Sequence, residues 1–171
     1  MKKQLLLLTL FVVISTMLHA QRPLPKLLQG DGPQFAYQEC VMIDKKKDQN
    51  CDRFEYTYKL ANDTLYITLK EIAHVHSEKK KSERFTYYKV AVRDIYANES
   101  LARFSSEYRE FEPVKDFEGK HNRVLSFSFY AVSSNIICSG WGYFGKVEKK
   151  NKITLHAEGY SDAKALLEYF K

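Results

Sequence analysis

The segment from Arg53 to Ile95 alternates between apolar and polar residues, which is the pattern of consecutive β-strands that turn one face towards a core. Two runs flank a turn at residues 61–64, and the apolar residues of each run share one parity: Phe54, Tyr56, Tyr58 and Leu60 before it, and Leu65, Ile67 and Leu69 after it. This arrangement predicts an antiparallel hairpin. A third run, residues 85–95, places further apolar residues on one face: Tyr88, Val90 and Val92.

Further strands are predicted on both sides of this segment. Residues 35–43 form a first strand, and residues 123–131 return to strict alternation. Residues 136–144 run back after a Ser-Ser-Asn turn, and residues 153–157 form a last strand. Residues 96–122 have no clean period, so we expect only a short strand or a helical turn with loops in that region.

Near the end of the chain, the spacing of the apolar residues changes from that of a strand to that of a helix. Ser161 is suited to cap the amino end of a helix, and residues 161–170 carry one apolar stripe: Ala163, Leu166, Leu167 and Phe170. The predicted fold class is mainly β (α+β), a small antiparallel β-sandwich or partly closed barrel of about eight strands with one C-terminal helix. Residues 35–171 form this single domain, and residues 21–34, which contain several prolines and glycines, form an irregular lead-in.

The first 20 residues have the features of a signal peptide. Lys2 and Lys3 precede an apolar run from Leu5 to Ile14, and Ala20 is a small residue suited to the cleavage site. A bilayer span needs roughly twenty apolar residues, so cleavage is favoured over anchoring. No later stretch is apolar enough to cross a membrane. We therefore expect an exported protein, periplasmic or secreted, with no transmembrane segment after cleavage.

The charge of the chain favours no particular polyanionic partner. The full chain has 27 basic and 21 acidic residues, and two of the lysines belong to the expected signal peptide. The remaining charges are interleaved, and the densest basic runs, residues 45–47 and 79–81, lie beside turn residues and acids. Such runs are typical of solvated loops, so no nucleic-acid partner is predicted.

Three cysteines raise the question of a disulfide in an oxidising compartment. Cys40 and Cys51 flank the charged residues 44–48, which is a spacing that fits a bridged hairpin loop. Such a bridge contributes roughly 2–3 kcal/mol in the chain-entropy model. Cys138 lies in an apolar run, which favours a buried free thiol. A bridge from Cys138 to Cys40 or to Cys51 is the alternative, and the sequence leaves the three pairings open.

Two histidines form the candidate metal site. His74 and His76 occupy alternate positions of a predicted strand, so both side chains project from one face and could share a divalent ion. A third ligand would have to come from His121 or His156, and nothing in the sequence places either of them beside the pair. With solvent-facing parity at the pair, a structural or incidental role is favoured.

A stretch rich in aromatic residues and glycine is the candidate ligand site. Residues 140–145 contain Trp141, Tyr143 and Phe144 among three glycines. Glycine allows close approach of a ligand to the backbone, and aromatic faces offer stacking area for a sugar, a peptide or a lipid ring. The alternative is a tryptophan that packs in the core beside a glycine bulge.

Two segments carry a resemblance at the level of families. Residues 88–95 (YKVAVRDI), together with residues 163–167 (AKALL) of the closing helix, resemble a pattern in uncharacterised small exported β-domain proteins of Bacteroidota-type bacteria. The order of the elements, many strands followed by one helix, resembles a pleckstrin-homology-like fold. Neither resemblance supplies catalytic residues, and the resemblance in fold implies nothing specific about ligands.

These observations favour a protein that works by binding. The chain lacks a Gly-x-Ser-x-Gly elbow, a phosphate-cradling glycine loop and a zinc-type cysteine pairing. The first hypothesis is therefore an exported non-catalytic binding or interaction domain, without a cofactor, whose unknown ligand is a small molecule or a protein. The alternative is a metal-assisted hydrolase that uses His74 and His76. A stabilising or assembly subunit at the cell envelope is a third hypothesis.

Overall fold

The computed structural model describes residues 23–42, 49–75, 80–115, 121–140 and 147–171. This part of the chain forms nine strands: β1 (Phe35–Met42), β2 (Gln49–Ala61), β3 (Thr64–Val75), β4 (Lys80–Ala91), β5 (Arg109–Lys115), β6 (His121–Tyr130), β7 (Ile136–Gly140), β8 (Glu148–Lys150) and β9 (Lys152–Ala157). It also forms two α-helices, α1 (Ala97–Glu107) and α2 (Tyr160–Tyr169), and three short 3₁₀ turns, Lys26–Leu28, Val92–Asp94 and Val132–Ser134. Within these ranges, neither helix has the length and apolar character to span a membrane.

The strands form two antiparallel sheets in a sandwich-like arrangement. The larger sheet has six strands in the order β1-β2-β3-β4-β7-β8, and the smaller sheet has three in the order β5-β6-β9. The sheets are not closed into a barrel. The predicted mainly β, antiparallel fold with a C-terminal helix is therefore confirmed. The described part of the chain has one strand more than expected, and it contains a second helix, α1.

The hairpin of β2 and β3 follows the predicted parity. Tyr58 pairs with Ile67 across the two strands, and both side chains are almost fully buried. Asn62 and Asp63 make the turn with φ of 48° and 53°. This left-handed conformation matches the twist of a tight hairpin, and Asn and Asp tolerate it better than most residues. The pattern of side chains and the turn chemistry thus specify the same hairpin.

Helix α2 closes the core with the predicted stripe. Ala163, Leu166 and Leu167 are fully buried. The helix begins at Tyr160 with Gly159 at its N-cap, and no side chain caps it, so the expected cap at Ser161 is wrong. A short helix is marginal by itself in water, and burial of the apolar stripe stabilises this one in place of a cap.

Helix α1 lies in the region where only a helical turn or a short strand with loops is predicted. Its buried residues are Ala97, Ser100 and Phe104. The Phe104 ring packs edge-on against Phe127 of β6, with centroids 6.0 Å apart, and the Ser100 hydroxyl accepts the backbone N–H of Tyr130. A buried face that includes alanine and serine is only weakly hydrophobic, which explains why the sequence shows no helical period here.

Candidate binding surface

The six-stranded sheet carries its residues of polar parity on the side opposite the core. We call this side the outer face and define it by residues of β2, β3, β4, β7 and β8: Thr57, Lys59, Tyr66, Thr68, Lys70, Phe85, Tyr87, Lys89, Ile137, Ser139 and Lys149. Each of these residues is at least partly exposed. They share one side because residues opposite each other in an antiparallel pair point to the same face of the sheet.

Five of these residues form a row across the strands. Lys59 pairs with Tyr66, and Tyr66 pairs with Lys89. Lys89 pairs in turn with Ile137, which pairs with Lys149. Because neighbouring strands lie about 4.8 Å apart, the three lysine backbones recur at about 10 Å and together span about 19 Å. This lysine row therefore alternates a cation with an aromatic or aliphatic side chain at regular spacing.

Three aromatic rings of the outer face are open to solvent. Tyr66, Phe85 and Tyr87 are 42%, 36% and 47% exposed. The Phe85 and Tyr87 rings are nearly parallel, with centroids 6.1 Å apart and an angle of 7° between their planes. Exposed apolar residues that occur singly are ordinary, but several rings gathered on one sheet face are typical of a contact surface.

The cations of the outer face fall into two groups. The Lys70 ammonium lies 2.8 Å from a carboxylate oxygen of Glu83 and 5.8 Å from the centroid of the Phe85 ring. By contrast, no acidic residue in the described ranges forms an ion pair with Lys59, Lys89 or Lys149. The lysine row thus carries three cations that form no direct ion pair within the described residues.

The lysine row borders a groove with a volume of about 340 Å³. Residues of several chemical types line it: Thr64, Tyr66, Lys89, Val90, Ala91, Asp94, Asn135, Ile137 and Lys149. The groove brings two ammonium groups, a carboxylate, an amide and a phenol ring to one concave surface. This mixture suits a ligand that carries both hydroxyl groups and negative charge.

The aromatic site predicted from the sequence lies outside the described residues. Trp141, Tyr143 and Phe144 all belong to residues 141–146, which the structure does not describe. The last described residue before them, Gly140, pairs with Thr86 of β4. The role of these three aromatic residues in ligand contact stays a prediction, and the outer face is defined without them.

Three of the four histidines considered for the metal site lie on different strands. His74 pairs with Lys81 in the β3–β4 ladder, His121 pairs with Lys115 in the β5–β6 ladder, and His156 belongs to β9. His76 lies outside the described residues. Within the described ranges, no group of three histidine, cysteine or acidic residues is arranged to hold a metal ion. The metal-assisted hydrolase therefore stays a prediction that no described geometry supports.

His156 links the two sheets through hydrogen bonds. Its Nδ1 atom lies 2.8 Å from the hydroxyl of Tyr56, and its backbone oxygen accepts the hydroxyl of Tyr58 at 2.8 Å. Burial lowers the pKa of His156 to about 4. The ring is consequently neutral near pH 7, so its Nδ1 can accept a hydrogen bond from the Tyr56 hydroxyl when Nε2 carries the ring hydrogen.

The tyrosines that surround His156 are held in their protonated form. Burial is the main cause that raises the pKa of Tyr37, Tyr56 and Tyr58, and neighbouring groups have smaller effects in both directions. The ring of Tyr37 lies 5.0 Å from the His156 ring. This cluster is a neutral hydrogen-bonded part of the core, which explains how a histidine is accommodated between the sheets.

Cys40 and Cys51 are brought together by the backbone. They are Cα partners in the antiparallel ladder of β1 and β2. Cys138, in contrast, is a buried free thiol in β7. The register is compatible with the predicted Cys40–Cys51 bridge, which stays a prediction.

Tyr66, Phe85 and Tyr87 are not singled out by the sequence pattern. Each occupies a strand position of polar parity, where alternation leads one to expect a hydrophilic side chain. An aromatic residue at a strand position of polar parity is the sequence signal that could have identified them as contact residues. The strand register then adds what the pattern lacks, because it places Tyr66 between Lys59 and Lys89.

The fold and this surface together define an antiparallel β-sandwich with an exposed aromatic and basic sheet face. Comparison with protein-family models, with curated proteins and with solved structures gives no match.

Proposed function

We propose that this protein is exported and works as a non-catalytic binding domain that holds its ligand on the outer face. The observation that carries the proposal is the lysine row, in which three cations without an ion pair in the described residues alternate with Tyr66 and Ile137. The exposed rings of Phe85 and Tyr87 extend the same contact area along β4. Export is supported by the amino-terminal pattern of residues 1–20.

The chemistry of the outer face supports binding and not catalysis. A catalytic acid or base is commonly tuned by burial or by a close partner, which shifts its pKa. Among the described residues, burial strongly shifts the pKa of four groups, and these form the neutral cluster inside the core: Tyr37, Tyr56, Tyr58 and His156. The groups of the outer face are exposed lysines and aromatic rings, which contribute contact area and charge.

A sedimentation assay tests the proposal. Purified protein is mixed with cell-envelope fragments of its host, before and after protease treatment of the fragments, and the pelleted fraction is measured. We expect Tyr66→Ala/Tyr87→Ala to lower the pelleted fraction several-fold. Tyr96→Ala is the matched control, because Tyr96 is 49% exposed and lies outside the outer face. Equal pelleting of the wild type and both variants would contradict a role for the outer face.

A further inference from the structure

We infer that the ligand of the outer face is an acidic glycan, a linear polysaccharide whose sugar units carry carboxylates. This inference rests on the proposed binding function and adds the chemical class of the ligand to it. Three features of the outer face lead to this class: the spacing of its charges, the composition of its groove and the direction in which it extends.

The spacing of the charges fits a polymer with regularly repeated carboxylates. Lys59, Lys89 and Lys149 stand on every second strand, about 10 Å apart along the row. In an extended twofold polyuronate, successive units turn opposite edges to the protein, so every second carboxylate faces the sheet. The units between those carboxylates would then lie over Tyr66 and Ile137, whose apolar surfaces suit the C–H faces of sugar rings.

The composition of the groove favours sugar units over a phosphate backbone. Asp94 and Asn135 line the same groove as Lys89 and Lys149. A carboxylate and an amide oxygen accept hydrogen bonds from sugar hydroxyls, which a polysaccharide offers on every unit. A single-stranded nucleic acid also suits basic and aromatic surfaces, but a DNA strand has no free sugar hydroxyl within its backbone to donate to Asp94 and Asn135.

The direction of the row favours an extended ligand. Its five residues belong to five different strands, and the row runs across them for about 19 Å. A small molecule is usually enclosed in a cavity that buries most of its surface. An open row of this length instead provides several successive contacts, each of them weak, along a polymer.

Titration with defined polymers tests the inference. The purified full protein is titrated with polygalacturonate and with alginate, two polymers of uronic acids, and affinity is measured at low and at high salt. The control ligand is carboxyl-reduced polygalacturonate, which keeps the sugar rings and hydroxyl groups but has no charge. Oligothymidylate is the single-stranded nucleic acid in the same assay. We expect a polyuronate to bind, with an affinity that falls as salt screens the lysines.

Variants assign the binding to the lysine row. We expect Lys89→Ala/Lys149→Ala to weaken polyuronate binding about tenfold, since two exposed charge contacts are lost. Tyr66→Ala should weaken it about fivefold through the lost ring contact. Lys164→Ala is the matched control, because Lys164 lies on helix α2 with its only described ion pair to Glu168. Thermal unfolding of each variant verifies that the fold is retained.

Each outcome decides the inference. Salt-sensitive binding of a polyuronate that weakens in the row variants and persists in Lys164→Ala supports it. Equal affinity for the carboxyl-reduced polymer overturns the acidic class, while the proposed binding function remains. If oligothymidylate binds more tightly than the polyuronates, or if neither polyuronate binds, the assignment of a glycan as the ligand is overturned. The proposed function fails separately, when Tyr66→Ala/Tyr87→Ala pellets with envelope fragments as well as the wild type does.

Discussion

Gly140 illustrates how strictly one position of the fold is constrained. Its φ is +124°, and a Cβ atom there would collide with the carbonyl oxygen of Phe85 and lie 3.0 Å from the Cα of Thr86. We expect Gly140→Ala to lower the free energy of unfolding by about 2–4 kcal/mol, because the backbone would be strained and β7 pushed away from β4. Urea denaturation measures this loss.

Two other glycines allow the stability cost of backbone strain to be measured apart from the cost of a steric clash. Gly30 has a φ of +89° with no atom within 4 Å of a Cβ, so Gly30→Ala should cost about 1 kcal/mol through strain alone. Gly32 has an equally open surrounding without a positive φ, and Gly32→Ala should change stability by less than about 0.5 kcal/mol. If Gly140→Ala lowers the free energy of unfolding no more than Gly30→Ala does, the close approach of Gly140 to β4 is refuted.

His156 couples the stability of the fold to pH. Burial lowers its pKa from 6.5 to about 4, because the imidazolium form is penalised in the core. Between pH 6.5 and about 4, the His156 side chain is protonated in the unfolded chain and neutral in the folded protein. The free energy of unfolding therefore falls as the pH is lowered through this window, by on the order of 3 kcal/mol in total.

The variant His156→Asn should remove most of this dependence. Asparagine has no proton to gain, and its amide oxygen offers the Tyr56 hydroxyl an acceptor near the position of Nδ1. Denaturation is measured at neutral pH and at about pH 4, and the difference between the wild type and the variant is compared. A loss of stability of the same size in both proteins would show that other groups cause it.

At the scale of elements, Glu107 fixes the last turn of α1 to the smaller sheet. Its carboxylate accepts the Tyr130 hydroxyl at 2.7 Å and the Lys152 ammonium at 3.0 Å. Hydrogen bonding from Ser128, followed by that from Tyr130 and Lys152, lowers its pKa to about 2. The carboxylate form therefore contributes stability above about pH 4.5, which is lost as the pH falls towards 2.

Replacement of this carboxylate should loosen α1 by a modest amount. We expect Glu107→Gln to lower the free energy of unfolding by about 1–2 kcal/mol at neutral pH, since the charge-assisted hydrogen bonds become neutral ones. The difference from the wild type should shrink below pH 4.5. Glu99→Gln is the control, because an exposed i,i+4 pair with Arg103 contributes less than about 0.5 kcal/mol. A loss in Glu107→Gln that is constant with pH would contradict this role.

The β1–β2 hairpin carries a prediction about oxidation. Cys40 and Cys51 are opposed Cα partners, so we expect them to form a disulfide in an oxidising compartment. The intact mass of the oxidised protein should be lower by two hydrogens than that of the reduced protein. Cys40→Ser/Cys51→Ser should lose roughly 2–3 kcal/mol relative to the oxidised wild type. A proteolytic digest that links Cys138 to either cysteine would disprove this pairing.

At the scale of the whole molecule, the thiol of Cys138 reports on unfolding of the sandwich. Cys138 is fully buried in β7, and burial raises its pKa, so the thiolate is disfavoured in the folded protein. In Cys40→Ser/Cys51→Ser this is the only thiol, and we expect a thiol reagent to label it with the same denaturant midpoint as the loss of circular dichroism. Labelling well below that midpoint would show that β7 opens locally.

The sequence pattern predicts those parts of the molecule whose residues alternate. Tyr58 and Ile67 could be assigned to the core because a half-buried strand repeats every two residues. Helix α1 could not be predicted from the pattern, because its buried face includes Ala97 and Ser100, which are also common on protein surfaces. The aromatic residues of the outer face were missed because their strand positions, by parity, belong to the solvent side.

What the sequence determines by itself is local: the strands β2 to β4 and their parity, the turn at Asn62 and Asp63, and the stripe of helix α2. Each depends on the stereochemistry of neighbouring residues, so each can be recognised without a partner. Only the tertiary structure decides that β4 pairs with β7 and β7 with β8, which brings Lys59, Lys89 and Lys149 into one row. Pairing of distant strands depends on hydrogen bonds and packing between segments far apart in the chain, and no local pattern encodes it.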